Sequence, residues 1–317
     1  MSRIIPLLSA FCILTAATSV FSWDLRIKAD SLDPAAVKTP VNIFDTLAFN
    51  KHASRWLRPA NWVVPTAGMI VYGIYLWDWD FGKSDSYHWQ VQPFWGDHAE
   101  AGGADKCGHM YSNYMITRFL IFMFRATGSS QNAAVLQGAL SNDLSSFIGE
   151  LGDGFSKNYG FDPWDFAANH MGILLAAALE YWPALDHVFA MRWEYFPTRH
   201  MKANFGKFSR WDISTDYNAG KFIFSAKLGG IPYLSQTPLR YVNFDVGYYS
   251  RGYKHPEDYP SRTRNVQIGL SVNYSIAFGD ILPTGYVSSS LQTFFNFFHP
   301  WCDVELKRVT ISDRPHS

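Results

Sequence analysis

Cysteine is scarce, with three in 317 residues. Cys12 falls inside an N-terminal apolar segment, which leaves Cys107 and Cys302, too few for a disulfide framework; both are expected to be free. No charge of either sign is in excess. Lys plus Arg and Asp plus Glu both count 27, for a formal net charge of zero, so there is no electrostatic case for nucleic acid or another polyanion, and no nucleic-acid partner is expected. Repeats and low-complexity tracts are missing. So are the GxSxG elbow, HExxH, GxxxxGK[ST] and paired CxxC motifs, which removes their chemistries. Asp78, Asp80 and Gly82 open like a calcium loop, but the glycine is one place early and Trp89 stands where a bidentate glutamate is needed.

Aromatic residues are plentiful instead. The chain has 12 Trp, 17 Tyr and 25 Phe, so aromatics match charged residues at 17% each. Amphipathic Trp and Tyr concentrate where one end of the ring is dry and the other wet, at membrane interfaces and large binding surfaces. At the N-terminus, Arg3, the apolar run Ile4 to Val20, and Val20-Phe21-Ser22 read as a secretory signal peptide over residues 1–22, with the mature chain starting near Trp23. Phe11 before Cys12 fits a lipoprotein cleavage box poorly, so lipidation is not expected. The protein is therefore expected in the periplasm or on the periplasmic face of an envelope membrane.

Residues 23–51 form a polar lead-in. From Trp62 to Trp77 sixteen residues are apolar, about 24 Å as a helix and short of a simple span of roughly 20 residues. Tryptophans at both ends favour a membrane interface, while Pro65, Gly68 and Gly73 weaken a straight spanning helix. Three further helices are predicted over Asp105 to Arg125, Ala133 to Leu151 and Pro163 to Ala184. Each is apolar around most of its circumference with one narrow polar stripe, a pattern that belongs in a large core or in lipid. Beyond about residue 205 the period changes from near 3.6 to 2. Strands are predicted over Asn265 to Phe278, Val242 to Tyr248 and Phe222 to Leu228, with Trp211 to Tyr217 a weaker fourth, and Ser288 to Phe298 reads as a short aromatic helix. The expected class is α+β, a helical domain at 52–204 followed by a β-rich domain at 205–317 with an antiparallel sheet of three or four strands. That number cannot close a membrane barrel alone, since single-chain barrels start at eight. The sheet must pack on the helices, rest on a surface, or assemble with further copies of the chain.

The polar stripes carry the candidate chemistry. Asp105, His109 and Ser112 share a face of the first helix; Ser146, Glu150 and Asp153 share one on the second; Asp165, Asn169 and Gly172 repeat it on the third. Burying such groups costs several kcal/mol each unless they find partners, so the stripes should meet in one cluster. His109 would then act as general acid or base beside Asp105, with Glu150 shifted upward by burial. Alternatively His109, Glu150, Asp153 and His170 or His98 could hold a divalent metal, or the network could simply fix helix register. Asp162-Pro163-Trp164-Asp165 also reads as an N-cap, an N1 proline and an acid favoured by the helix dipole, and Gly172 as a close-packing glycine.

At these residues the chain resembles the YfiM-like family of predicted periplasmic proteins. The blocks are Gly103-Ala104-Asp105-Lys106-Cys107-Gly108-His109, Glu150-Leu151-Gly152-Asp153-Gly154-Phe155-Ser156, and Tyr159 to Gly172. The skeleton Asp-Lys-x-x-His, a later Glu, then Asp-x-x-x-Asn-x-x-Gly is similar, more distantly, to VanZ-like membrane proteins. The resemblance implies an envelope location and matched positions Asp105, Lys106, His109, Glu150, Asp153, Asp165 and Asn169, but no assigned reaction. Together these readings point to an exported, membrane-associated protein with a structural or lipid-binding role and membrane lipid as partner. The alternative is an envelope hydrolase acting on a lipid or glycan through His109 and Glu150.

Overall fold

The computed structural model describes residues 55–312, apart from 78, 80–86, 96–98, 100, 206–212, 254–258 and 260. The expected leader and lead-in, and the metal candidate His98, lie outside the described residues.

Four long helices come first: α1 (Ala60–Leu76), α2 (Ala104–Ala126), α3 (Gln131–Asp153) and α4 (Pro163–Tyr181), followed by the short α5 (Pro183–Val188). Among the described residues no helix is long and apolar enough to cross a membrane. Gly103, at φ 85°, precedes α2, where an added Cβ would lie 2.6 Å from Phe94 O. The left-handed backbone and the close approach both demand glycine. At the start of α4 the Asp162 side chain accepts from Trp164 N at 2.8 Å, so the N-cap and N1 proline sit as expected. α2 is the central helix, packed against α3, α4 and the sheet. Gly172 lets α4 approach it closely: a Cβ there would fall 2.1 Å from Met110 O.

The second half is an antiparallel meander in the order β1-β2-β3-β4-β5: β1 (Phe189–Tyr195), β2 (Gly220–Lys227), β3 (Val242–Arg251), β4 (Thr263–Val272) and β5 (Asp303–Ser312). α6 (Arg199–Ala203) follows β1, and α7 (Tyr274–Ile281) and α8 (Tyr286–Phe297) separate β4 from β5. The mixed α+β class is as expected, but the sheet has five strands rather than three or four, and it begins at Phe189, before the change of period. β5 escapes an alternation reading because the pairing register shifts between Ile268 and Gly269, leaving Leu306 as an extra residue that reverses the phase within the strand. The run from Asn265 to Phe278 is not one strand. Asn273 Oδ1 accepts from Ile276 N at 3.2 Å and starts α7, and Tyr274 and Phe278, four apart, suit a helix face as well as a strand's alternation. Ile213–Thr215 and Tyr217–Ala219 are 3-10 turns, so over the described residues of Trp211 to Tyr217 the weak fourth strand is not formed.

The shared core lies where α2 and α4 meet the sheet. Tyr111, Tyr114, Ala176 and Leu179 pack with Met191, Phe222 and Phe297. Tyr111 OH donates to Phe297 O at 2.7 Å, giving this buried ring its partner.

Candidate functional site

Three helices deliver the predicted polar residues to one place. Lys106, 4% exposed, points its ammonium at three carboxylates: Asp105 Oδ2 at 2.9 Å, Asp162 Oδ2 at 2.7 Å and Asp165 Oδ1 at 2.8 Å. One turn along α2, His109 Nδ1 lies 2.9 Å from Asn169 Oδ1 and 3.5 Å from Glu150 Oε1, while its Nε2 is 3.6 Å from Asp165 Oδ1. Asn169 Nδ2 donates to Glu150 Oε1 at 2.8 Å. The amide oxygen must therefore accept from His109, which places a proton on Nδ1. Asn113 Nδ2 donates to the same oxygen at 2.6 Å, and Asn142 Nδ2 donates to Asn113 Oδ1 at 2.9 Å and Thr117 Oγ1 at 2.9 Å. The network thus runs deep into the helical layer. Asp153 joins at its edge, accepting from Trp79 Nε1 at 2.6 Å.

The electrostatics follow from crowding carboxylates in a dry space. Burial pushes Glu150 upward, reinforced by Asp165 and Asp153 and opposed by His109 and the Asn169 bond. Burial likewise raises Asp165, against the pull of His109 and Lys106. For His109, burial works against the charge, but Asp165, Glu150 and Asp105 outweigh it and the imidazolium is favoured. Asp153 is pushed up to about 6 by burial despite the Trp79 bond. Proton and charge are shared across the group rather than owned by one residue. Such a site can hold a proton near neutrality and pass it between His109, Glu150 and Asp165.

Asp105, Lys106, His109, Glu150, Asp165 and Asn169 are in the cluster, with Asp153 at its rim. The two serines are not. Ser146 Oγ donates to Asp143 O at 3.1 Å, and no bond among the described residues ties Ser112 to the network. His170 is drawn elsewhere, with Nε2 2.8 Å from Asp143 Oδ1 and Nδ1 2.8 Å from Phe166 O. Among the described residues no group of three or more His, Cys, Asp or Glu could hold a metal ion, and Cys107 and Cys302 are both free. Sequence reasoning missed Asn113 and Asn142, although each extends a stripe by one turn, from His109 and from Ser146. It also gave Asp162 only its capping role.

Residues 92–181 match the model of a family described as "Predicted periplasmic lipoprotein (DUF2279)". The match takes in α2, α3 and α4, and with them the whole cluster except Trp79. The family's description agrees with an exported location in the cell envelope. The lipid anchor it names would need a cysteine such as Cys12, outside the described residues. No curated protein and no solved structure matches the chain.

Proposed function

We propose that the protein is a membrane-associated component of the envelope with a structural or lipid-binding role, read together with the YfiM-like and VanZ-like motif skeleton of its helical half. The observation that carries this reading is an inversion of polarity. Among the described residues, buried polar or charged side chains number 37 against 26 buried hydrophobic ones, the reverse of a water-soluble interior. Outside, α3 exposes Leu136, Leu140, Leu144, Phe147 and Leu151 along one stripe, and α1 exposes Val63, Val64, Val71 and Tyr75. Each such side chain gains on the order of 1 kcal/mol when moved from water into hydrocarbon. With no net charge to dock the protein electrostatically, its association should survive high salt and yield to detergent. Fractionation that leaves the wild-type chain fully soluble without detergent would overturn the reading.

A second reading, hydrolysis of a lipid or glycan, is favoured by one feature. The His109 side chain is 29% exposed while its partners Glu150 and Asp165 are at 4% and 16%, so the acid-base group is the member a substrate can reach. Turnover on envelope lipids or glycans that disappears in His109→Ala would support it; no turnover by the wild-type protein removes it.

A further inference from the structure

The sheet repeats the inversion in a form that specifies which face meets lipid. Along β3, Asn243 and Asp245 are buried while Phe244 and Val246 are 40% and 41% exposed. Along β2, Ser225 and Lys227 are buried while Phe224 is exposed, and along β4, Gln267 and Ser271 are buried while Val272 is exposed. The charges on the polar side pair with one another, while Asn243 Oδ1, Asp245 Oδ2 and His299 Nε2 are buried without a hydrogen bond. Arg192 Nη2 meets Asp245 Oδ1 at 2.8 Å, Lys221 Nζ meets Glu194 at 3.1 Å and Asp303 at 3.2 Å, and His299 Nδ1 lies 3.2 Å from Glu194 Oε2.

Those contacts also dictate the shape. Arg192 on β1 reaches Ser271 Oγ on β4 at 3.4 Å, although strands three places apart in a flat sheet stand about 14 Å apart. His299 N donates to Trp193 O at 2.9 Å, seating the lead-in of β5 beside β1. The sheet is therefore curled with its polar side concave, although β1 and β5 themselves do not pair. Its apolar side is convex: Met191, Phe222 and Tyr248 on that side are covered by α2, α4 and Phe94, and the part farther from the helices is open. In β5 the extra residue Leu306 keeps Val304 and Val309 on that convex side and turns Glu305 and Arg308 away from it. Lys307 and Arg264 are the charges whose positions in the alternation fall on it, and Arg264 Nε donates to Tyr253 OH at 2.7 Å.

We propose that the convex face of β2–β5, centred on Phe224, Phe244, Val246, Val272, Val304 and Val309, lies against membrane hydrocarbon. This rests on the membrane reading above and adds the face that makes contact. A second copy of the chain fits less well. Two convex faces touch along a line, whereas a stable interface needs roughly 800 Å² from each partner. Pairing through the β5 edge would meet the bulge at Leu306 and the Lys307 charge, both devices that block strand addition. Acyl chains are fluid and conform to a convex, largely apolar wall, as they do to the apolar-out alternation of lipid-facing strands, with Lys307, on the edge strand β5, long enough to carry its ammonium to the headgroups.

The test uses the full chain carrying Cys12→Ala, Cys107→Ala and Cys302→Ala, with a nitroxide placed at Val246→Cys or Val309→Cys, bound to phosphatidylcholine–phosphatidylglycerol vesicles. Collisions with oxygen should exceed those with a water-soluble nickel chelate several-fold at both positions, and the order should reverse at Tyr233→Cys, where the native side chain is 90% exposed. Nickel contact equal to or above oxygen contact at 246 and 309 overturns the proposal in favour of water. Poor contact with both reagents together with spin–spin broadening overturns it in favour of a second copy. As a separate measure, Phe244→Asp with Val246→Asp should weaken vesicle partitioning at least tenfold without shifting the unfolding midpoint in detergent; unchanged partitioning overturns it. A wild-type protein that never binds vesicles instead refutes the membrane reading itself.

Discussion

Both halves of the molecule bury charge, and they do so under different rules. On the helices, Lys106, His109, Glu150, Asp165 and Asn169 come from three segments, each of which places its polar groups three or four residues apart, so adjacency is largely local. On the sheet, Arg192, Lys221, Asp245, His299 and Asp303 come from four strands and the lead-in to β5, and they meet because the sheet curls. A helical stripe announces its direction, since most of the circumference is apolar. A strand's alternation announces two faces without saying which is inside.

The comparison is broken or sharpened most strongly by removing one cation from each cluster. Lys106→Met leaves three buried aspartates around a neutral side chain and should cost about 3–5 kcal/mol of stability in denaturant unfolding. Arg192→Met should cost less, about 2 kcal/mol, because Asp245 keeps His299 within reach, Nε2 to Oδ2 being 3.5 Å. A cost below about 1 kcal/mol for Lys106→Met would mean that the aspartates shed their charge and that the helical cluster is not held by the lysine.

The two clusters should also respond to pH with opposite sign. Asp153, raised from 3.8 to about 6 by burial, holds its proton more tightly folded than unfolded. Its contribution is full below about pH 4 and is lost as the pH rises through about 6. Asp245 is lowered to about 2: burial opposes the shift, and the bonds and charges of His299 and Arg192 outweigh it. It stabilises the fold above about pH 4, and that contribution is lost as the pH falls through about 2. Unfolding midpoints followed from pH 2 to 7 should change less over the upper range in Asp153→Asn and over the lower range in Asp245→Asn. Unchanged profiles in both variants would erase the contrast.

Smaller effects test connectivity. A double-mutant cycle on His109→Ala and Glu150→Gln should give a coupling energy of at least about 0.5 kcal/mol, because both side chains share the Asn169 amide. Strict additivity with folded single mutants would separate them. At the bottom of the scale, Glu305→Gln disrupts an ion pair with Arg308 whose partners are 30% and 48% exposed. It should change stability by less than about 0.5 kcal/mol, and a larger loss would show that the β5 edge is covered.

Much of the helical site is legible in the chain. Asp105 with His109, and Asp165 with Asn169, stand one turn apart on largely apolar helices, whose charges Arg118 and Glu180 pair with each other at the far end. What the spacing cannot convey is reach between helices. Asp162 is needed to cap α4 and gives no sign that its second oxygen meets Lys106, while Ser146 shares a stripe yet bonds Asp143 O and no bond among the described residues ties Ser112 to the network. In the sheet, Val266, Ile268 and Leu270 mark β4 plainly. β5 hides behind its bulge, because one extra residue shifts every later side chain to the other face.

By itself, the sequence determined the local periods, the caps and the close-packing glycine, since propensity, capping and spacing act over a few residues. It therefore decided that helices precede an antiparallel sheet and that three polar stripes must find one another. Only the tertiary structure decided which face of that sheet is inside. The alternation of Phe244 and Val246 with Asn243 and Asp245 is the same whichever side water or lipid occupies. The choice comes from curling, which lets Arg192, Lys221 and His299 neutralise carboxylates from strands far apart in the chain, while the apolar side packs on α2 and α4 through Met191 and Phe222 and turns outward at Phe224, Phe244 and Val246.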